Sequence, residues 1–132
     1  MLRLEKGLFK QAVSQCMREL PNEACGIFAG KDGKVEKVFE SANVDKSPSS
    51  YLMEPKEQLK IMKEIRNSGR EMIGIYHSHV VSEAYPSSHD VELAFYPEAS
   101  YVIISLKDKN NPGIRSFKIE GGRITEEEVK IE

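Results

Sequence analysis

The residues with the clearest chemical potential are two histidines separated by one serine, His77-Ser78-His79, at the end of an apolar run. If Met72 to His79 is a strand, side chains two residues apart project to the same face, and Ile73 and Ile75 share that face with both histidines. Two ligands of one metal ion require this placement. Imidazole nitrogen suits Zn²⁺, and a catalytic zinc commonly keeps three protein ligands and a fourth position for water. The spacing therefore predicts part of a zinc site.

The third ligand should come from an element that returns to the end of this strand. Asp90 lies in the first turn of a short predicted helix that begins at Ser88, and we expect its carboxylate to complete the site. His89 is the rival on residue type alone. Inert, hydrogen-bonded histidines at a strand end are the other interpretation, but two of them at this spacing, with a carboxylate nearby, favour a metal.

Ser87 and Asp90 also fit a purely structural pattern. A serine three residues before an acid, at the start of a helix, is typical of a capping box. By that pattern alone, Ser87 would be an N-cap. The two interpretations are compatible, because a cap would also hold Asp90 in a fixed orientation.

The elements that must position these residues follow from periodicity and turn signals. Apolar residues at helical spacing predict a helix from about Glu5 to Glu19 and another from Pro55 to a capping position at Gly69. Alternating or continuous apolar runs predict strands. These strands are Cys25–Ala29, Lys34–Glu40, Met72–His79, Tyr101–Leu106, Ile114–Glu120 and Ile124–Ile131, with a polar loop at Ser41–Ser50 and the short helix from Ser88 to about Phe95.

The order of these elements predicts the fold class. The last two strands flank Gly121-Gly122 and indicate a terminal hairpin. Helices mixed with consecutive strands are typical of an α+β sandwich, with a mostly antiparallel mixed sheet flanked by helices. The chain has 132 residues, which fits a single domain over residues 1–132.

Composition argues against several classes of function. Charged residues make up 30% of the chain, the formal net charge is −2, and no basic run marks a nucleic-acid surface. No apolar stretch is long enough to span a bilayer, and the first ten residues lack a signal-peptide core, so we expect a cytoplasmic protein without a membrane partner. In that setting a disulfide between Cys16 and Cys25 is not expected. Cys16 fits a helix core, and a nucleophilic Cys25 is the less favoured alternative, since free cysteine is mostly a small buried hydrophobe.

At this point the sequence resembles a known family. His77-Ser78-His79, seven further residues, Ser87, two further residues and Asp90 resemble the JAMM motif of MPN-type zinc metalloproteases. The upstream segment Pro21–Gly26 is similar to the one that carries the family's catalytic glutamate. Val80 stands where many members have proline, a departure that removes no functional group. The order of predicted elements agrees with the MPN/JAMM-type fold that the resemblance implies.

The resemblance also implies a role for each motif residue. Zn²⁺ lowers the pKa of its bound water and polarises the scissile carbonyl. Glu23, which by itself would pass for a solvated glutamate, would carry the proton from that water to the leaving amine. Ser87 would donate a hydrogen bond to the developing oxyanion. Ser78 is expected to point to the opposite face with a structural role. The implied zinc ligands are His77, His79 and Asp90.

The short chain is most similar to compact bacterial and archaeal members of the family, which are associated with ubiquitin-like sulfur carriers. Some of these release cysteine from the carrier's C-terminus, and the segment Ser50–Pro55 also resembles that group. The expected activity is hydrolysis of the amide bond after the C-terminal Gly-Gly of a small ubiquitin-like sulfur-carrier protein. The alternative is a non-catalytic MPN-type scaffold that binds proteins without metal.

Overall fold

The computed structural model describes residues 1–132 as eight strands and three helices. In chain order these elements are β1 (Leu2–Leu4), α1 (Lys6–Arg18), β2 (Cys25–Lys31), β3 (Lys34–Ser41), α2 (Pro55–Asn67), β4 (Glu71–His79), α3 (Ser88–Glu92), β5 (Ser100–Ser105), β6 (Gly113–Glu120), β7 (Arg123–Glu127) and β8 (Val129–Ile131).

All eight strands belong to one sheet with the order β7-β6-β5-β4-β2-β3-β1-β8. The pairs β2–β3, β2–β4, β5–β6 and β6–β7 are antiparallel, whereas β4–β5, β1–β3 and β1–β8 are parallel. The predicted α+β class with a mixed, largely antiparallel sheet is confirmed. Because β7 and β8 lie at opposite ends of this order but are separated in the chain only by Glu128, the sheet curls until the chain joins its two edges.

Alternation along the strands supplies two apolar cores, one on each face of the sheet. The core on the α1 side contains Cys16 from the helix and Phe28 from β2. The core on the α2 side contains Ile65 from the helix and Ile27 from β2. Burying each such large apolar side chain stabilises the fold by roughly 1.5–3 kcal/mol. The sheet is therefore held from both sides, and its central strand β4 is fixed within it.

The second helix begins and ends where the sequence indicates. Pro55 opens α2, and the Glu54 side chain accepts a hydrogen bond from the Glu57 N–H at 2.8 Å. Gly69 follows the last turn with a φ of 73°, in the left-handed region that glycine adopts freely, as predicted for a capping position. The longest helices, α1 and α2, have 13 residues each, and none of the three helices has both the length and the apolarity to cross a membrane.

The predicted terminal hairpin is only half right. Its second strand breaks at Glu128: β7 stays paired with β6, whereas β8 leaves to pair in parallel with β1, with Val129 opposite Leu2. β1 was not predicted, because three residues are too few to reveal an alternation. Leu2 and Leu4 are nevertheless fully buried, and the core that they join decides the pairing.

The predicted face of Ile73 is wrong. The register between β2 and β4 shifts between Phe28 and Ala29, opposite residues 72–74, and this irregularity interrupts the alternation. Ile73 therefore packs in the α1-side core with Tyr76, whereas Ile75 packs in the α2-side core. Beyond the irregularity the alternation resumes toward the end of β4.

Candidate active site

The structure brings the three predicted ligands together at the end of β4. His77 and His79 are 2% and 5% exposed, and their Nε2 atoms lie 3.1 Å apart. Asp90, on α3, places Oδ1 at 3.2 Å from His77 Nε2 and Oδ2 at 3.0 Å from His79 Nε2. The three ligand atoms lie within 4.8 Å of one another, so these residues form a candidate metal site. The rival His89 is outside this group, and its Nε2 is buried without a hydrogen-bond partner.

The start of α3 fixes the orientation of Asp90. The N–H of Asp90 donates to Ser87 Oγ at 3.1 Å, and the N–H of Ser87 donates to Asp90 Oδ2 at 2.9 Å. This reciprocal pair is the predicted capping box, which is confirmed. α3 is shorter than expected and ends at Glu92. Because Ser87 Oγ serves the cap as an acceptor, its hydroxyl hydrogen is free to donate elsewhere, and the residue is exposed.

A contact behind His79 decides which way its lone pair points. The Nδ1 of His79 lies 2.8 Å from the carbonyl oxygen of Glu83, so Nδ1 carries the hydrogen and donates it. In a neutral ring, Nε2 then presents a lone pair to the Asp90 carboxylate, which is itself an acceptor. Two acceptors at 3.0 Å need a cation between them, either a proton or a metal ion. The donor set therefore fits a metal, and the sequence had not indicated this role for the Glu83 backbone.

The pKa shifts describe the same cluster. Burial alone would raise the pKa of Asp90, but hydrogen bonds from both imidazoles and from the Ser87 N–H hold that pKa well below its usual range. Burial lowers the pKa of His77, despite the neighbouring Asp90. Burial also opposes charge on His79, yet the Asp90 carboxylate and the Glu83 carbonyl raise its pKa. An ionised carboxylate beside a neutral His77 is the protonation state that a metal ligand set requires.

Tyr51 and Asn43 hold the other side of the cluster, and the sequence did not predict either role. The ring of Tyr51 stacks on His77 with centroids 4.4 Å apart and an angle of 21°. Asn43 organises the loop that carries Tyr51, since its side chain donates to the carbonyls of Glu23 and Ser50 and accepts from the N–H groups of Asp45 and Leu52. The polar composition of this loop predicted a loop but not these specific contacts.

Glu23 lies just before β2, beside the end of β4. Cys25 pairs with His77 across the sheet, which brings Glu23 alongside the end of the ligand strand. Glu23 is 4% exposed, and its Oε1 is buried without a hydrogen-bond partner. Burial raises the pKa of its carboxyl to about 8. The charge of Asp90 also raises this pKa, whereas the charge of His79 lowers it. A buried, unpartnered carboxyl next to a ligand cluster is typical of a functional group.

The face of β4 turned away from the ligands is occupied by Ser78. Its Oγ accepts a hydrogen bond from the Ala24 N–H at 2.8 Å, as expected for a serine that points away from the two histidines.

Cys25 is buried, and burial raises the pKa of its thiol to about 12, so it stays protonated and is not a nucleophile. Cys16 is part of the core, as predicted, and both cysteines are free.

Residues 5–120 match the family model for prokaryotic homologs of the JAB domain. The chain belongs to this family. It is 37% identical over 132 residues to the CysO-cysteine peptidase of Mycobacterium tuberculosis. The aligned region covers 98% of this chain and 90% of that protein. It is 33% identical over 123 residues to a probable TtuB-protein conjugate cleaving protease of Thermus thermophilus, covering 92% of this chain and 78% of that protein.

Solved structures show the same fold. A protein from Desulfitobacterium hafniense has a TM-score of 0.91 and 40% identity, over 100% of this chain and 93% of that one. A JAB1/MPN domain protein from Archaeoglobus fulgidus has a TM-score of 0.65 and 18% identity, over 98% of this chain and 99% of that one. The predicted JAMM/MPN fold is confirmed, and the prediction of a JAMM-type hydrolase is confirmed by the named peptidase relatives.

Proposed function

We propose that this chain is a zinc-dependent peptidase that hydrolyses the amide bond after the C-terminal Gly-Gly of a ubiquitin-like sulfur carrier. The observation that carries the proposal is the buried cluster of His77, His79 and Asp90 with Glu23 beside it. Support for the substrate class comes from the relatives, one named for a carrier–cysteine adduct and another for a carrier–protein conjugate. Cysteine is the first leaving group to test.

The ligand set favours zinc among the common metals. Two imidazole nitrogens and one carboxylate are ligands that catalytic zinc accepts, and the set leaves a position for water. Zinc, when bound, would lower the pKa of a water and polarise the scissile carbonyl. The protein fixes both sides of this set: the Glu83 carbonyl orients His79, and Tyr51 packs on His77. A scaffold without metal would have no need for three buried, converging ligands.

Glu23 is proposed as the group that moves protons. Its carboxyl is desolvated, with a pKa raised to about 8, so protein groups alone favour the protonated form at neutral pH. A divalent cation at the nearby ligands would favour the carboxylate, which could then accept a proton. The same carboxyl, once protonated, is poised to give its proton to the leaving amine. Positioned acid–base groups of this kind typically contribute roughly 10²–10⁴ in rate.

Ser87 is proposed as the donor to the substrate carbonyl oxygen. The cap uses the Oγ lone pair for the Asp90 N–H, and the hydroxyl hydrogen remains available on the exposed side. The cap also limits the movement of Ser87, so the donor is preorganised before charge develops on the oxygen. One residue would thus anchor a metal ligand and stabilise the transition state.

The proposed setting is a single domain of residues 1–132 in the cytoplasm. Two free, buried cysteines are consistent with a reducing compartment, where thiols persist. All strands contribute to one sheet, which supports the single-domain assignment.

The test uses a small ubiquitin-like carrier made with the C-terminal extension Gly-Gly-Cys. Mass spectrometry should show loss of one cysteine on incubation with the zinc-loaded protein, and a chelator should block the loss. A matched carrier ending in Gly-Val-Cys should be cut much more slowly, because a side chain next to the scissile bond would keep the backbone from passing close to the metal. Survival of the first adduct while unrelated peptides are cut freely would remove the carrier from the proposal but leave a zinc peptidase.

A further inference from the structure

Ser78 lies between the two ligand histidines in the sequence but on the opposite face of β4. Its side chain is fully buried and faces α1, away from the candidate metal site. We propose that Ser78 is a positioning residue that holds Glu23 in register with the metal ligands. This inference rests on the function proposed for Glu23 and assigns a role to a residue that the motif leaves without one.

Two hydrogen bonds connect Ser78 to the residue next to Glu23. The Ala24 N–H donates to Ser78 Oγ at 2.8 Å, and the Ser78 N–H donates to the Ala24 carbonyl at 3.0 Å. Ala24 is 1% exposed, so water does not compete for either contact. Ser78 thus forms hydrogen bonds to the backbone of Ala24 through both its side chain and its main chain.

The contacts made by Glu23 itself come from a different part of the molecule. Its N–H donates to the Ser47 carbonyl at 2.8 Å, and its carbonyl accepts from Asn43 Nδ2 at 3.0 Å. Both partners lie in the loop between β3 and α2, which does not carry a ligand. Ser78 instead belongs to the ligand strand, with His77 and His79 as its covalent neighbours. The hydrogen bond from Ala24 to the Ser78 side chain therefore connects the segment that carries Glu23 to the strand that carries His77 and His79.

Gln15 supplies a second anchor from α1. It is 1% exposed, its Nε2 donates to the Cys25 carbonyl at 2.9 Å, and its Oε1 accepts from the Tyr76 hydroxyl at 2.6 Å. The chain passes close to this network at Gly26, where a Cβ would lie 2.3 Å from the Tyr76 hydroxyl oxygen. Gln15 and Tyr76 thus hold residues 25 and 26 against the α1-facing side of β4, whereas residue 24 is held there by Ser78.

Loss of the Ser78 hydroxyl should move the carboxyl that these contacts position. Ser78→Ala leaves the Ala24 N–H buried without an acceptor, and an unsatisfied buried donor is costly, so the segment is driven to shift. A displacement of about 1 Å in a positioned group can cost about 10²-fold in rate. The ligands are untouched, so zinc binding should not change.

The first test compares Ser78→Ala with Ser116→Ala, a second fully buried serine whose Oγ donates to Glu127 far from the ligands. Both variants are assayed with the carrier ending in Gly-Gly-Cys, at a temperature well below their unfolding midpoints. Ser78→Ala should lower kcat by roughly 10–100-fold with KM within about twofold and zinc content unchanged. Ser116→Ala should keep the wild-type kcat, and Ser78→Thr, which retains a hydroxyl, should recover part of the loss. Equal losses in the two alanine variants overturn the proposal.

The second test asks whether Ser78 acts through Glu23. In a Glu23→Gln background, Ser78→Ala should lower the residual kcat by less than about twofold, because the group that it positions is already disabled. The same fold loss in both backgrounds overturns the proposal.

A third measurement needs no substrate: hydrogen exchange of the Ala24 amide should be at least about tenfold faster in Ser78→Ala than in Ser116→Ala. Unchanged exchange overturns the positioning role. If the wild-type protein cleaves no carrier adduct, the proposed function fails, while the amide exchange still decides whether Ser78 holds the segment.

Discussion

The two faces of β4 are built from neighbouring residues but differ in how their polar groups are satisfied. On the ligand face, turned toward α2, the Nε2 atoms of His77 and His79 converge on the Asp90 carboxylate. On the support face, turned toward α1, the Tyr76 hydroxyl donates to Gln15 at 2.6 Å and the Ser78 hydroxyl accepts from Ala24 at 2.8 Å. Both of these hydroxyl groups have a partner within the protein.

The comparison shows that the two faces have different roles: one carries the groups that could bind a metal ion, and the other holds those groups in position. The ligand face gathers acceptors that need a cation between them, so its arrangement is complete only with a bound ion or proton. On the support face, the Tyr76 and Ser78 hydroxyls are instead hydrogen-bonded to groups of the protein, which fixes the positions of the segments they join. Substitutions on the ligand face should therefore remove metal, and substitutions on the support face should keep metal and lower rate or stability.

The largest effect is expected for Asp90→Ala. Removing the carboxylate leaves two imidazoles without the anionic ligand, so zinc should fall from about one per chain to nearly none, and hydrolysis should fall to background. Zinc content by atomic absorption measures this. The matched variant is His89→Ala, one residue away, which should keep its zinc. If His89→Ala loses its zinc while Asp90→Ala keeps it, the third ligand is His89 and not Asp90.

Glu23→Gln should separate proton transfer from metal binding. The amide keeps the shape of the side chain but cannot accept a proton, so kcat should fall by roughly 10²–10⁴-fold with zinc still bound. Turnover of the carrier adduct and metal content are measured on the same sample. Turnover close to that of the wild type would remove Glu23 from the mechanism.

Ser87→Ala should lower both rate and stability, because the hydroxyl serves the cap and the substrate. We expect kcat to fall by roughly 10²-fold and unfolding free energy by about 1 kcal/mol. Ser87→Asp separates the two roles, since aspartate is a good N-cap but offers no donor at neutral pH. It should regain stability without regaining rate. Full recovery of kcat in Ser87→Asp would argue against the donor role.

The titration of Glu23 should make the metal-free protein less stable as pH rises. The folded protein holds the Glu23 proton up to a pKa of about 8, whereas the ordinary value is 4.5. Between these values the unfolded chain binds fewer protons than the folded one, so each step up in pH destabilises the fold. Glu23→Gln does not titrate, so its stability relative to the wild type should rise across this window, by at most about 1.4 kcal/mol per pH unit, and level off above it. Urea unfolding at pH 5, 7 and 9 measures the difference, and a constant difference would contradict it.

The smallest effect is expected for Tyr76→Phe on the support face. Loss of the hydroxyl leaves Gln15 Oε1 buried without its donor, at a cost of about 1–2 kcal/mol in unfolding free energy. Gln15 still donates to Cys25, so kcat should fall only a few-fold and zinc should stay bound. Urea unfolding and steady-state kinetics test this together. Loss of zinc in this variant would contradict the expectation that substitutions on the support face leave metal binding unchanged.

Local spacing was enough to predict most of the ligand face. Two histidines two residues apart share a face where the strand is regular, and a serine three residues before an acid is typical of a helix cap. The two long helices and the strands β2 and β3 follow from the same short-range rules. Glu23 was accessible only through resemblance to a family motif, since nothing in its own surroundings in the sequence distinguishes it from a surface glutamate.

What the sequence by itself determined is therefore periodic and local: the type of each main element, the shared face of His77 and His79, and the capping box at Asp90. Only the tertiary structure decided the contacts between distant segments, such as Ala24 with Ser78, 54 residues apart, and the stacking of Tyr51 on His77. It also decided the face of Ile73 and the pairing of β8 with β1. The physical reason is that a period of two or 3.6 residues is set by backbone geometry, whereas a long-range pairing is chosen by the packing of the whole core.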